Sequence, residues 1–213
     1  MTHLELLLSR YPALAPCRED IQRAFALLRD AYAGGGKLLA CGNGGSASDA
    51  AHIVGELMKS FARPRDIGSA RQRLCDALPE ADAAYLAAGL EGALPAVSLH
   101  GEVALVSAFA NDAAPDLIYA QQVLGLGRPG DSLLALSTSG NSKNVVRAVQ
   151  TAKALGLGTV GLTGRGGGAL AKWCDVCVRV PETETYRVQE LHLPVYHALC
   201  RMLEDHFFGG GAA

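Results

Sequence analysis

The chain has no excess of charge of either sign: 19 Lys and Arg stand against 21 Asp and Glu, a formal net charge of -2. That balance gives no electrostatic ground for holding nucleic acid or an anionic membrane surface, so neither is expected as a partner. A small acidic substrate is still admissible, because a few local groups can hold one. Long apolar runs are also missing, and none approaches the roughly 20 residues of a membrane span. The first residues, MTHLELLLSRYPAL, lack the basic stretch and small-residue cleavage site of a signal peptide. A cytoplasmic location is expected. Nor is there a disulfide framework. The six cysteines, at 17, 41, 75, 174, 177 and 200, are scattered, which suits reduced thiols. Cys174 and Cys177 form a CxxC without a second pair. It opens a segment, WCDVCVRV, that reads as the entry to a buried strand, so packing is expected of it.

What is present is apolar: 49% of 213 residues, enough for one sizeable core. Residues 16–33 alternate apolar and charged positions at helical spacing and stop at Gly34-Gly35-Gly36. A short apolar run, 37–40, follows, then the Gly-rich CGNGGS of 41–46, then a helical pattern over 47–60. This strand–loop–helix unit recurs. Strands are expected at 96–99, 132–136, 158–162 and 176–180. Helices are expected from about 102, over 143–155, briefly after 164, and near 187–207. Strands alternating with helices predict a doubly wound parallel α/β sheet of five strands, covered on both faces. Ligands of such sheets sit beyond the carboxyl ends of the strands, where loops 41–46 and 137–142 fall. Residues 62–94 differ, with many charges and Ala and Leu at helical spacing, and read as a helical insertion. The expected organisation is a single domain over 1–208, with N-terminal helices in 1–35 and a disordered tail at 209–213.

Loop 137–142, Ser137-Thr138-Ser139-Gly140-Asn141-Ser142, sets four hydroxyls before a helix N-terminus. Free backbone amides, the positive dipole end and hydroxyl donors suit phosphate oxygens. A helix cap would use one or two of them, so phosphate binding is the reading. Loop Gly42-Asn43-Gly44-Gly45-Ser46 lets the backbone approach a ligand. It lacks the Gly-Lys-Ser/Thr of a P-loop and the spacing of a dinucleotide fingerprint.

His52 and Glu56 stand at i and i+4 on one helical face and could ligate zinc, although taken alone such a pair is commonplace and a surface hydrogen bond is its better explanation. Gln189 and His197 lie on the last predicted helix. Eight residues on a straight helix separate their backbones by about 12 Å, awkward for one ion. Either Pro194 breaks the helix between them, or the two come from different subunits. His3, His100, His192 and His206 are read as structural or exposed.

Together, CGNGGSASDAAHIVGE, AND at 110–112, STSGNS, LTG at 162–164 and RVQELHLPVYH resemble the sugar-isomerase (SIS) domain family, and within it the phosphoheptose isomerases. The resemblance spans nearly the whole chain outside 62–94. It implies one zinc per subunit, held by His52, Glu56, Gln189 and His197. It implies substrate contacts from Asn43, Gly44, Gly45, Ser46, Asn111, Asp112, Ser137, Thr138, Ser139, Ser142 and Gln189. The implied reaction is aldose–ketose isomerisation of a phosphosugar, sedoheptulose 7-phosphate to D-glycero-D-manno-heptose 7-phosphate, through an enediol. Glu56 would be the base and His197 its acid–base partner. A homotetramer with active sites between subunits is implied as well. The segment 62–94 is longer than the matching connection of a typical heptose enzyme, which leaves the sugar less defined than the reaction. The competing readings are a non-catalytic SIS-domain adaptor, like the regulator that binds the replication initiator, and a sugar-phosphate-sensing regulator. Neither needs the metal set present here.

Overall fold

The protein is described by a computed structural model covering residues 1–210. It begins with α1 (His3–Arg10), whose first turn is closed by a reciprocal Thr2–Glu5 capping box. A 3-10 turn over Pro12–Cys17 leads to α2 (Arg18–Ala33). The α-helix therefore starts two residues later than the periodicity suggests, because Pro16 lacks the amide that a helical ladder needs. Next come β1 (Leu38–Cys41) and α3 (Gly45–Met58). Residues 62–94 carry two short helices, α4 (Ala70–Ala77) and α5 (Glu80–Gly89). After β2 (Ala96–Ser98) runs α6 (Val103–Asp112). Pro115 opens a 3-10 turn that separates it from α7 (Ile118–Leu126), so the helix expected from about 102 is two helices. The remainder alternates: β3 (Ser132–Leu136), α8 (Lys143–Ala154), β4 (Gly158–Thr163), α9 (Leu170–Trp173), β5 (Val176–Arg179) and α10 (Thr185–Phe208). Of the tail expected to be disordered, 211–213 lie outside the described residues.

All five strands pair in parallel, in the order β2-β1-β3-β4-β5. The central strands are buried along their whole length, which explains their unbroken apolar runs. Each helix presents an apolar stripe. Ile21, Ala24, Leu28 and Tyr32 line α2, and Val145, Ala148, Val149 and Ala152 line α8. These stripes build two cores. One joins α1, α2, α3 and α10 on one face of the sheet, and the other joins α7 and α8 on the opposite face. A fully buried leucine such as Leu133 or Leu134 contributes on the order of 1.5–3 kcal/mol. Among the described residues, no helix is long and apolar enough to cross a membrane. Cys174 and Cys177 pack their sulfurs against Gly161, and burial pushes both thiols up, so they stay protonated.

The amino ends of β1 and β3 are fastened by Asp131. Its carboxylate accepts the Lys37 amide at 2.9 Å, the Lys37 ammonium at 2.5 Å and the Arg128 amide at 2.8 Å. Desolvation would raise this carboxyl, but the Lys37 and Arg128 hydrogen bonds outweigh it and hold it below its ordinary value. A lowered carboxyl stabilises the fold above its unfolded pKa of about 4 and loses that contribution as the pH falls through the folded value. Replacing Asp131 with Asn is expected to cost about 2 kcal/mol at pH 7. Urea unfolding should show the deficit constant above about pH 5 and shrinking in acid.

Candidate functional site

Strand order reverses between β1 and β3, and their following loops diverge at the carboxyl edge to helices on opposite faces. A crevice at such a switch point is where ligands of open α/β sheets bind. Loop 42–46 turns into α3 at Gly44, whose φ of 55° excludes most side chains without strain. Loop 137–142 bends at Gly140, where an added Cβ would collide with the Gly167 carbonyl oxygen. A reciprocal amide pair joins the two loops. Asn43 Nδ2 donates to Asn144 Oδ1 at 2.8 Å, and Asn144 Nδ2 donates to Asn43 Oδ1 at 2.9 Å. The Tyr119 hydroxyl fixes the first loop from below, donating to the Gly42 carbonyl at 2.6 Å. Burial pushes this phenol up to about 12, so it remains a donor.

In the second loop the Ser137 and Ser142 hydroxyls lie 3.0 Å apart, and Ser139 Oγ accepts the Asn141 amide. Ser137 is buried, Thr138 is half-buried and Ser139 is open to solvent. The hydroxyls thus form a shelf at the head of α8. In the first loop Ser46 is buried, while Asn43, Gly44 and Gly45 are exposed. Asn111 and Asp112 end α6, hydrogen-bonded to each other at 2.8 Å and exposed.

The helix α10 runs unbroken through Pro194, so the alternative of a helix broken there does not hold. Gln189 and His197 lie two turns apart on it, and both face α3. Gln189 packs over Gly45, where an added Cβ would lie 2.5 Å from its Nε2. His197 meets His52, their ring centroids 5.0 Å apart. Sharing between subunits is therefore not needed to bring Glu56 and His197 together.

His52 Nε2 lies 3.0 Å from Glu56 Oε1, and Lys59 Nζ lies 3.3 Å from Glu56 Oε2. On its other side, His52 Nδ1 is 3.1 Å from the Tyr196 hydroxyl, which donates to Asp49 Oδ1 at 3.2 Å. His52 thus bridges the Tyr196–Asp49 pair on one side and the Glu56 carboxyl on the other. His197 Nε2 is buried without a hydrogen-bond partner, and Phe61 packs against its ring at 5.4 Å between centroids. Burial, reinforced by the nearby His52, lowers the His197 pKa and favours the neutral ring. Among the described residues, no three His, Cys, Asp or Glu side chains are already gathered as a metal cluster. The donors here form an open set. His192 is fully buried and burial pushes it down to about 4, a neutral core residue.

Sequence reasoning did not single out Asn144, Tyr119, Asp49, Tyr196 or Phe61. Asp49 and His52 are three apart on α3, a spacing that could have suggested a shared face. The others arrive from distant elements and leave no local trace. A cavity of about 230 Å³ between α1 and α10 reaches His197, and none of the loop residues above lines it.

The profile described as SIS domain matches residues 79–164. A phosphoheptose isomerase of Thiobacillus denitrificans is 40% identical over 200 residues, covering 92% of this chain and 87% of the relative. One of Rhodospirillum rubrum is 38% identical over 192 residues, covering 90% and 88%. The chain belongs to the phosphoheptose isomerase family of SIS-domain proteins. The solved phosphoheptose isomerase of Neisseria gonorrhoeae superposes with a TM-score of 0.71 at 32% identity, over 94% of this chain and 98% of that one. The Francisella tularensis enzyme gives 0.71 at 30% identity, over 96% and 100%. The family is one of phosphosugar isomerases, and the regulatory readings of the sequence give way to an enzyme.

Because Glu56 and His197 both adjoin His52 of their own chain, mixing Glu56→Gln subunits with His197→Ala subunits should restore no isomerase activity, even after exchange is verified by mass. Recovery would place the two groups of a working site on different chains.

Proposed function

We propose that this chain interconverts sedoheptulose 7-phosphate and D-glycero-D-manno-heptose 7-phosphate. The observation that carries this reading is that His52 adjoins both Glu56 and His197 in a fold whose switch-point loop is lined with hydroxyls. The amide ends of α8 and the hydroxyls of Ser137, Thr138, Ser139 and Ser142 take the phosphate. Asn43, Gly44, Gly45 and Ser46 hold the sugar chain, together with Asn111, Asp112 and Gln189. This sets the carbonyl end toward α3 and α10.

The Glu56 carboxylate removes the proton from the carbon beside the carbonyl and returns it to the former carbonyl carbon, while the His197 ring gives a proton to the carbonyl oxygen and takes one from the neighbouring hydroxyl. Lys59 Nζ, 3.3 Å from Glu56 Oε2, helps hold the carboxyl in place. Phe61 packs against one side of the His197 ring.

The donor set fits a zinc ion: two imidazoles, a carboxylate and an amide oxygen, with an orphaned His197 Nε2 and with His52 Nε2 3.0 Å from the Glu56 carboxyl. His52, Glu56, Gln189 and His197 would hold it, one ion per subunit. Such an ion supplies Lewis acidity toward the carbonyl oxygen.

A homo-oligomer, a tetramer by the resemblance, belongs to the same reading. Helix α6 has no buried residue although its sequence, VALVSAFAND, is mostly apolar, and Val103 is 74% exposed. A second copy covering α6 would bury it and bring Asn111 and Asp112 into an intersubunit site.

Turnover of sedoheptulose 7-phosphate against a panel of other phosphosugars decides the substrate, and a preference for a different sugar refutes it. Elemental analysis of protein purified without chelator should give one zinc per chain; metal-free protein of full activity removes the ion. Ser139→Ala should raise KM about tenfold, the weight of one charge-assisted hydrogen bond, and leave zinc content unchanged. Unchanged kinetics would move the phosphate elsewhere.

A further inference from the structure

One buried ion pair stands outside the groups named so far. Arg65, 4% exposed, and Glu204, 1% exposed, face each other with Nε donating to Oε1 at 2.8 Å. Their other hydrogen bonds go to the end of α3 and to the segment just after it. Arg65 Nη1 donates to the Leu57 carbonyl at 2.6 Å, and Nη2 donates to the Glu56 carbonyl at 2.8 Å. These are carbonyls of the last turn of α3, which have no helical partner of their own. Glu204 accepts the Phe61 amide at 2.8 Å and the Ala62 amide at 2.9 Å. Phe61 is the residue whose ring packs on His197. Phe208 seals the guanidinium from one side, its ring centroid 5.0 Å away. Gly92, returning from the insertion, donates its amide to the Arg65 carbonyl at 3.0 Å, and its missing Cβ leaves room for Arg65 and Phe208.

From this we infer that the Arg65–Glu204 pair is a positioning clamp for both candidate acid–base groups, with Arg65 fixing the turn that carries Glu56 and Glu204 fixing Phe61 against His197. The inference rests on the isomerase reading for its catalytic meaning and on geometry alone for its mechanical one. A guanidinium is suited to the task because its planar fork can serve a carboxylate and two carbonyls at once, which an ammonium cannot. The charge is buried because any water on it would compete for the same carbonyls. The clamp also sits at the neck of residues 62–94. The insertion is thereby tied to the core at its base.

The clamp predicts a particular pattern of loss. Two variants are compared with wild type: Arg65→Lys, and the double variant Arg65→Met with Glu204→Gln, which removes both charges and leaves no buried ion unpaired. Arg63→Ala, which breaks only the exposed Arg63–Asp205 pair, is the control. The readouts are kcat and KM on the phosphosugar that wild type turns over, the melting temperature, and amide hydrogen exchange. Both clamp variants should lose 10- to 100-fold in kcat, on the order seen for groups that orient reacting residues, with KM changed less than about twofold. Exchange over residues 56–61 should rise about tenfold or more while β3 keeps its protection. Arg63→Ala should change neither. A folded clamp variant with wild-type kcat overturns the inference, as does a loss of kcat that only follows the unfolded fraction. Should wild type turn over no phosphosugar, the isomerase reading fails by itself, and exchange over 56–61 still decides the clamp: unchanged exchange refutes it.

Discussion

Everything at the working end of this molecule follows from the parallel pairing of β1 with β3. Parallel strands are joined by crossovers that are right-handed in nearly all proteins. The connection from β1 runs outward to β2, and that from β3 runs the opposite way to β4. Their helices must therefore fall on opposite faces: α3 into the core with α2 and α10, α8 into the core with α7. Two loops that leave adjacent strands in opposite directions open a crevice between them. The Asn43–Asn144 amide pair spans it and holds the spacing.

The second organising element is α10, a single 24-residue helix laid against α3. Two packed helices act as rulers. Gln189 meets α3 at Gly45, His197 meets it at His52, and Glu204 lies near its end, where Arg65 caps the last carbonyls. Pro194 cannot donate to the ladder, which ordinarily kinks or breaks a helix interior. Here Pro194 is buried and the helix continues through it. Propensity is a weak prior that tertiary burial overrides.

Polar groups inside the protein are nearly all spent on holding this geometry. Asp131 fastens the amino ends of β1 and β3, Asp175 binds Thr159 and Lys153 at the β4 edge, and Glu204 gathers Phe61, Ala62 and Arg65. Each carboxyl sits below its ordinary value, because in each case hydrogen bonds and nearby cations outweigh desolvation. Among the described residues, a few side-chain atoms are buried without a hydrogen-bond partner, on Asp49, Ser60, His192, His197 and Arg201. Two of them, Asp49 Oδ2 and His197 Nε2, flank His52, and burial moves both groups toward their neutral forms.

The sequence alone determined the five strands, the parallel α/β class and the two ligand-facing loops, because these rest on local periodicity and on glycines and hydroxyls within six residues of one another. It also showed His52 and Glu56 on one face, since i and i+4 share a side of any helix. It could not decide how Gln189 and His197 relate to them. That depends on whether a helix survives its proline and on which helix it packs against, and only burial of Pro194 between α10 and its neighbours answers that. Asn144, Tyr119, Tyr196 and Phe61 were invisible for a related reason. Each acts on a partner more than 75 residues away in the chain, and contacts at such separation leave no pattern in a window of sequence. The Arg65–Glu204 pair is the extreme case: two common charged residues, 139 positions apart, whose significance exists only once folding removes water from both.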